Sequence, residues 1–93
     1  MRVLKLCQGG CGNKAAMWID GGIHAREWIA PAIVMYMARE LTERLEGQEN
    51  LIDSLDWYFL PSVNPDGYQF TQDEDRLWRK TRYMTQHYSY IFW

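Results

Sequence analysis

The chain has 93 residues, 47% of them hydrophobic and 15% aromatic, which is the composition of a globular protein rather than a disordered or fibrous one. That length allows one domain or part of one, burying about 60–65% of the surface its unfolded chain exposes. Ten basic against twelve acidic residues give a net charge of −2, which excludes the broad positive field of a nucleic-acid binder or of a protein held on anionic membranes.

The opening Met1-Arg2-Val3-Leu4-Lys5-Leu6-Cys7 has too short an apolar core for a signal peptide, and no apolar run in the chain approaches the roughly 18 residues that span a bilayer. Val3 to Leu6 reads as a short strand. The turn formers Gln8-Gly9-Gly10-Cys11-Gly12-Asn13-Lys14 follow, and Ala15 to Asp20 resumes an apolar strand, so the two strands are expected to pair as a hairpin. The second run is almost continuously apolar, as in a strand buried on both faces of a central sheet. Cys7 and Cys11, separated by Gln8-Gly9-Gly10, admit three readings: two unrelated thiols near a turn, which is the expectation, a small disulfide, or part of a metal site. A structural zinc needs four Cys or His ligands, and beyond these cysteines the chain offers only His24 and His87.

After Gly21-Gly22 the pattern changes to helical period. Ile29, Ile33, Tyr36, Met37, Leu41 and Leu45 are spaced to share one face, Pro31 suits a first turn, Arg39 with Glu43 and Glu40 with Arg44 form i,i+4 pairs, and Gly47 supplies a stop. Leu55 to Val63 (LDWYFLPSV) is a second aromatic and β-branched run, closed by the turn signal Asn64-Pro65-Asp66-Gly67. Strand, helix, strand implies an α/β layer in which the helix is a crossover between parallel strands. The expected fold is therefore α/β: a partial, mixed, open β-sheet with a packed helix.

Two clusters carry chemistry. His24-Ala25-Arg26-Glu27 places an imidazole and a carboxylate three residues apart where a strand passes through a Gly-Gly turn towards a helix, and such a pair can supply two of the three protein ligands of a catalytic zinc. Spacing alone is weak, because with 12 acidic residues in 93 roughly one His in eight has a carboxylate at i+3 by chance. The bland alternative is a polar loop with His24 bonded to a carbonyl and Glu27 at the helix N-terminus. The second cluster is Arg76-Leu77-Trp78-Arg79-Lys80-Thr81-Arg82. It reads as a solvated basic stretch balanced by Asp73-Glu74-Asp75, or as rigid guanidinium donors for carboxylates and peptide carbonyls.

The joint pattern discriminates. Gly22-Ile23-His24-Ala25-Arg26-Glu27-Trp28-Ile29, then Pro61-Ser62-Val63-Asn64-Pro65-Asp66-Gly67-Tyr68, then Arg76 to Arg82, in this order, closely resembles the zinc metallocarboxypeptidases of the pancreatic A/B type. The resemblance covers about residues 3–82. It assigns residues 1–82 to the N-terminal part of such a catalytic domain and leaves 83–93 (YMTQHYSYIFW) as a divergent, unassigned tail. It implies zinc-dependent hydrolysis of C-terminal peptide bonds, one zinc ion in the complete enzyme, peptide C-termini as substrate and an extracellular setting. By the same resemblance His24 and Glu27 are zinc ligands, Arg26 and Arg76 hold the peptide upstream of the scissile bond, and Arg79 polarises the scissile carbonyl and stabilises the oxyanion. The Asn64 to Gly67 turn is taken as structural. A second zinc His, an Asn-Arg pair for the substrate carboxylate, a closing tyrosine and a general-base glutamate have no counterpart, and His87 falls in the divergent tail. The expectation is a truncated form inactive alone; a non-catalytic peptide- or partner-binding fragment is the alternative. Nothing in the chain separates A-type from B-type specificity.

Overall fold

A computed structural model describes residues 1–43, 47 and 49–83. In chain order the elements are β1 (Leu4–Leu6), β2 (Ala15–Asp20), α1 (Ile29–Glu43), α2 (Glu49–Ser54), β3 (Leu55–Leu60) and α3 (Pro65–Asp73). Arg44 and Leu45, assigned to the helix on sequence grounds, lie outside the described residues, as does the tail from 84 onward with His87. No described helix is long and apolar enough to cross a membrane.

The three strands form one mixed sheet in the order β1-β3-β2. β3 runs antiparallel to β1, with Leu6 opposite Trp57, and parallel to β2, with Ile19 opposite Phe59. The α/β expectation and the parallel crossover through α1 both hold. The hairpin does not: β1 and β2 flank β3 instead of pairing with each other. β3 carries the densest aromatic run, and an inner strand is where such side chains find cover on both sides. The connection from residue 7 to residue 14 must then pass over the start of β3, and it is built to do so. Cys7 and Cys11 form a disulfide, so the expectation of unrelated thiols is corrected. Beyond the bridge, Gly12 N–H donates to Oδ2 of Asp56, a fully buried carboxylate on β3, at 2.6 Å.

The core joins Val34, Ala38 and Leu41 of α1 to Trp57 and Phe59 of β3, with Leu6, Ile19 and Leu55 packed around them. This is not the helical face the periodicity selected. Ile29, Ile33, Tyr36 and Met37 are exposed, and of the expected set only Leu41 is buried among the described residues. The first ten residues of α1, Ile29 to Ala38, are all apolar, so spacing admits two stripes, and small Ala38 on the chosen one lets the helix approach the sheet. β2 is likewise not buried on both faces. It lies at an edge, with Met17 and Trp18 exposed and Trp18 stacked on Tyr58. The predicted Arg39–Glu43 pair is present at 2.7 Å.

Candidate metal and substrate site

The site forms where the parallel strands β2 and β3 end side by side. Past these ends the two chains stay zipped by backbone bonds: Gly21 N–H to Leu60 O at 3.0 Å, Val63 N–H to Gly21 O at 3.0 Å, and Asn64 N–H to Gly22 O at 3.1 Å. Gly22 is needed for this zip. Its φ of +71° belongs to the left-handed region, and a Cβ would meet Pro61 O at 3.1 Å and Pro31 Cγ at 3.0 Å.

The chain then turns through His24 to Glu27, where Glu27 N–H donates to His24 O at 3.1 Å and Ala30 N–H to Glu27 O at 3.2 Å as α1 begins. Glu27 is exposed and His24 half-buried, while Ala25 between them is buried and its N–H donates to Arg79 O at 3.1 Å. That bond brings in the second cluster. Arg79 Nη2 stands 2.8 Å from His24 Nε2. A guanidinium only donates, so in this contact Nε2 is the acceptor.

Arg26 and Arg76 also meet: Arg76 Nη1 donates to the Arg26 carbonyl at 3.0 Å. The Arg76 guanidinium lies 3.8 Å from the centroid of the Trp28 ring, and Trp28 Nε1–H donates to the buried Thr71 Oγ1 at 2.8 Å. This cation–π contact, with the bond to the Arg26 carbonyl, holds the Arg76 guanidinium over the Trp28 ring. Further along, Arg82 covers Phe70 at 3.9 Å, with Trp78 edge-on to the same Phe70.

The residue that the sequence reading left without a role is Asn64. It opens α3 as its N-cap, ahead of Pro65 in the first turn, and its Oδ1 accepts from Gly67 N–H at 3.0 Å. Its Nδ2 donates to Ile23 O at 3.3 Å and to Lys80 O at 3.0 Å. An Asn-Pro pair is a turn signal and equally an N-cap signature, and the second sense would have pointed to α3.

For a metal, the chain offers an imidazole and a carboxylate on one tight turn, one accessible and one half-buried, with donor chemistry that suits zinc. Among the described residues no group of three or more His, Cys, Asp or Glu stands close enough to hold an ion. The fit is that of a partial ligand set.

Against known proteins, the zinc carboxypeptidase family, peptidase M14, matches residues 1–89. The chain is 48% identical over 82 residues to carboxypeptidase B of Astacus astacus, covering 88% of this chain and 27% of that protein. To carboxypeptidase B of Rattus norvegicus it is 53% identical over 74 residues, covering 75% of this chain and 18% of the relative. Among solved structures, thrombin activatable fibrinolysis inhibitor superposes with a TM-score of 0.83 at 40% identity, over 96% of this chain and 23% of that one. Carboxypeptidase A from Helicoverpa armigera gives 0.82 at 30% identity, over 94% and 21%. The chain therefore spans about a quarter or less of the length of these proteins. Matched over nearly its whole length by the family's sequence pattern and by the folds of its members, the chain belongs to the zinc carboxypeptidase family.

Proposed function

We propose that this chain carries the N-terminal part of a zinc-dependent carboxypeptidase site that hydrolyses the C-terminal peptide bond of peptides and proteins. The observation that supports it best is the approach of Arg79 to His24, a contact across 55 residues of sequence that sets a permanent cation beside a metal-ligating type of side chain. His24 and Glu27 would hold the ion. Zinc, when bound, acidifies a water molecule and polarises a carbonyl. Arg79 would donate to the carbonyl oxygen as negative charge develops on it, a kind of contribution worth several kcal/mol where water is excluded. Arg76, held over the Trp28 ring, and Arg26 would offer guanidinium donors to the carbonyls of the peptide further from the cut. The Cys7–Cys11 disulfide supports an extracellular setting, since such bonds persist in oxidising compartments.

The test is zinc titration of the chain by competition with a chromophoric chelator, comparing wild type with His24→Ala and Glu27→Ala. Each substitution should abolish uptake, because a single remaining ligand binds too weakly to compete. Uptake equal to wild type in both variants would remove the basis for a metal site here.

A further inference from the structure

We propose that Asn64 is a positioning residue that holds the His24 turn and the Arg79 segment in register, so that the cap of α3 sets the geometry of the site. The inference rests on the metal and substrate reading of His24 and Arg79 given above.

Asn64 is 8% exposed, and every polar group it owns is engaged. Its backbone N–H donates to Gly22 O and its carbonyl accepts from Tyr68 N–H at 3.0 Å. Its Oδ1 accepts from Gly67 N–H, and its Nδ2 faces the carbonyls of Ile23 and Lys80. The amide orientation follows from the chemistry: turned over, the oxygen would confront two carbonyls and the NH₂ an N–H. Ile23 immediately precedes His24, and Lys80 immediately follows Arg79. One buried side chain thus bonds the peptide group just before His24 and the one that begins a residue beyond Arg79, in addition to the direct bond between Ala25 N–H and Arg79 O. Bonds that fix the backbone beside a ligand restrict its orientation, and the loss of a ligand's own supporting hydrogen bond typically weakens metal binding about 10–100-fold.

The cap and the clamp use different atoms of the same side chain, so they can be separated. In Asn64→Asp and Asn64→Ser an oxygen remains to cap Gly67 N–H, and both residues are good N-caps, but neither can donate to the two carbonyls as the amide does. The full chain, labelled for NMR, is followed by amide exchange at Ala25 and Gly67 and by zinc affinity. In both variants the Ala25 amide should exchange at least about tenfold faster, the equivalent of one lost hydrogen bond, with Gly67 unchanged. Zinc affinity should fall by about tenfold or more. Unchanged exchange at Ala25, or equal acceleration at Ala25 and Gly67, would overturn the clamp, since the second pattern is that of a residue serving only stability. A further measurement needs no variant: the Asn64 side-chain amide protons of wild type should exchange slowly, and exchange at the rate of a free amide would also overturn it. If His24→Ala leaves zinc affinity unchanged, the metal reading fails, and the exchange data still decide the clamp.

Discussion

Gly67→Ala sets two effects of opposite sign against each other. In a helix interior, replacing glycine by alanine stabilises by about 1 kcal/mol, so helical propensity alone predicts a more stable chain. At Gly67 the added Cβ would stand 2.8 Å from both Cγ and Oδ1 of Asn64, inside any real carbon contact, and Gly67 itself is buried. Asn64 cannot turn aside without releasing its cap and its two carbonyl acceptors. The cap is worth about 1 kcal/mol, and the two hydrogen bonds donated by the amide about 1 kcal/mol each, even though Lys80 O keeps the Trp78 indole N–H as a donor. The loss outweighs the gain by about 2 kcal/mol, a fall of about 10 °C in the melting midpoint of a domain this small. The assay is thermal or urea unfolding followed by circular dichroism, on Gly67→Ala alone and in an Asn64→Ala background. In that background the obstructing side chain is gone, and the alanine should become neutral or stabilising, so the double-mutant cycle reverses sign. A single variant as stable as wild type, or a cycle without coupling, would refute the reasoning.

Other positions give simpler expectations. Phe59 is 1% exposed at the centre of the core, and Phe59→Ala should cost about 3–5 kcal/mol, enough to abolish the cooperative transition in a melting experiment. Reducing Cys7–Cys11 opens a loop with a sequence separation of only 4, so the stability lost in a urea titration should be about 2 kcal/mol; the Gly12 amide, bonded to Asp56, should lose protection from exchange at the same time. Glu43 hydrogen-bonds the Arg39 guanidinium and attracts its charge, raising its pKa above the usual arginine value. Both side chains are well exposed, and Arg39→Gln should leave the melting midpoint unchanged at moderate salt.

What the sequence disclosed follows from how local each feature is. β3 was legible because Leu55-Asp56-Trp57-Tyr58-Phe59-Leu60 is an unbroken aromatic and apolar run, and α1 because its period is sustained over four turns. Pairing is not local, so the insertion of β3 between β1 and β2 could not be read from a turn-rich connection that equally suits a hairpin. The buried stripe of α1 was misread for a related reason: Ile33, Tyr36 and Met37 look more like core than Ala38 does, yet closeness of approach, not side-chain size, decided which face met the sheet. α3 was hidden by its own start signal, since Asn64-Pro65-Asp66-Gly67 spells a turn to anyone who does not continue into Tyr68, Phe70 and Thr71. At the site, His24 and Glu27 meant little as a pair. The arginines gave them weight in the joint pattern, and the fold brings Arg79 to His24 and Arg76 to the Arg26 carbonyl.

The order of these parts along the chain has a consequence for how the site tolerates change. His24 and Glu27 sit on a turn that leaves β2, while Arg79 arrives 55 residues later, after α1, β3 and α3 have been laid down. The largely exposed loop 74–82 packs through Arg76 on Trp28 and through Trp78 and Arg82 on Phe70, and the loss of its backbone freedom must also be offset by specific bonds. Those bonds join the loop to Ala25, to the Arg26 carbonyl and to Asn64, and Asn64 is held by the strand exit on one side and by the first turn of α3 on the other. Substitutions in that first turn touch neither the metal turn nor the arginines, yet they act on both through one amide. The cap of α3 should therefore be as sensitive to substitution as the ligands themselves, whereas the exposed apolar stripe of α1, Ile29, Ile33 and Tyr36, should accept polar replacements without any effect on the site.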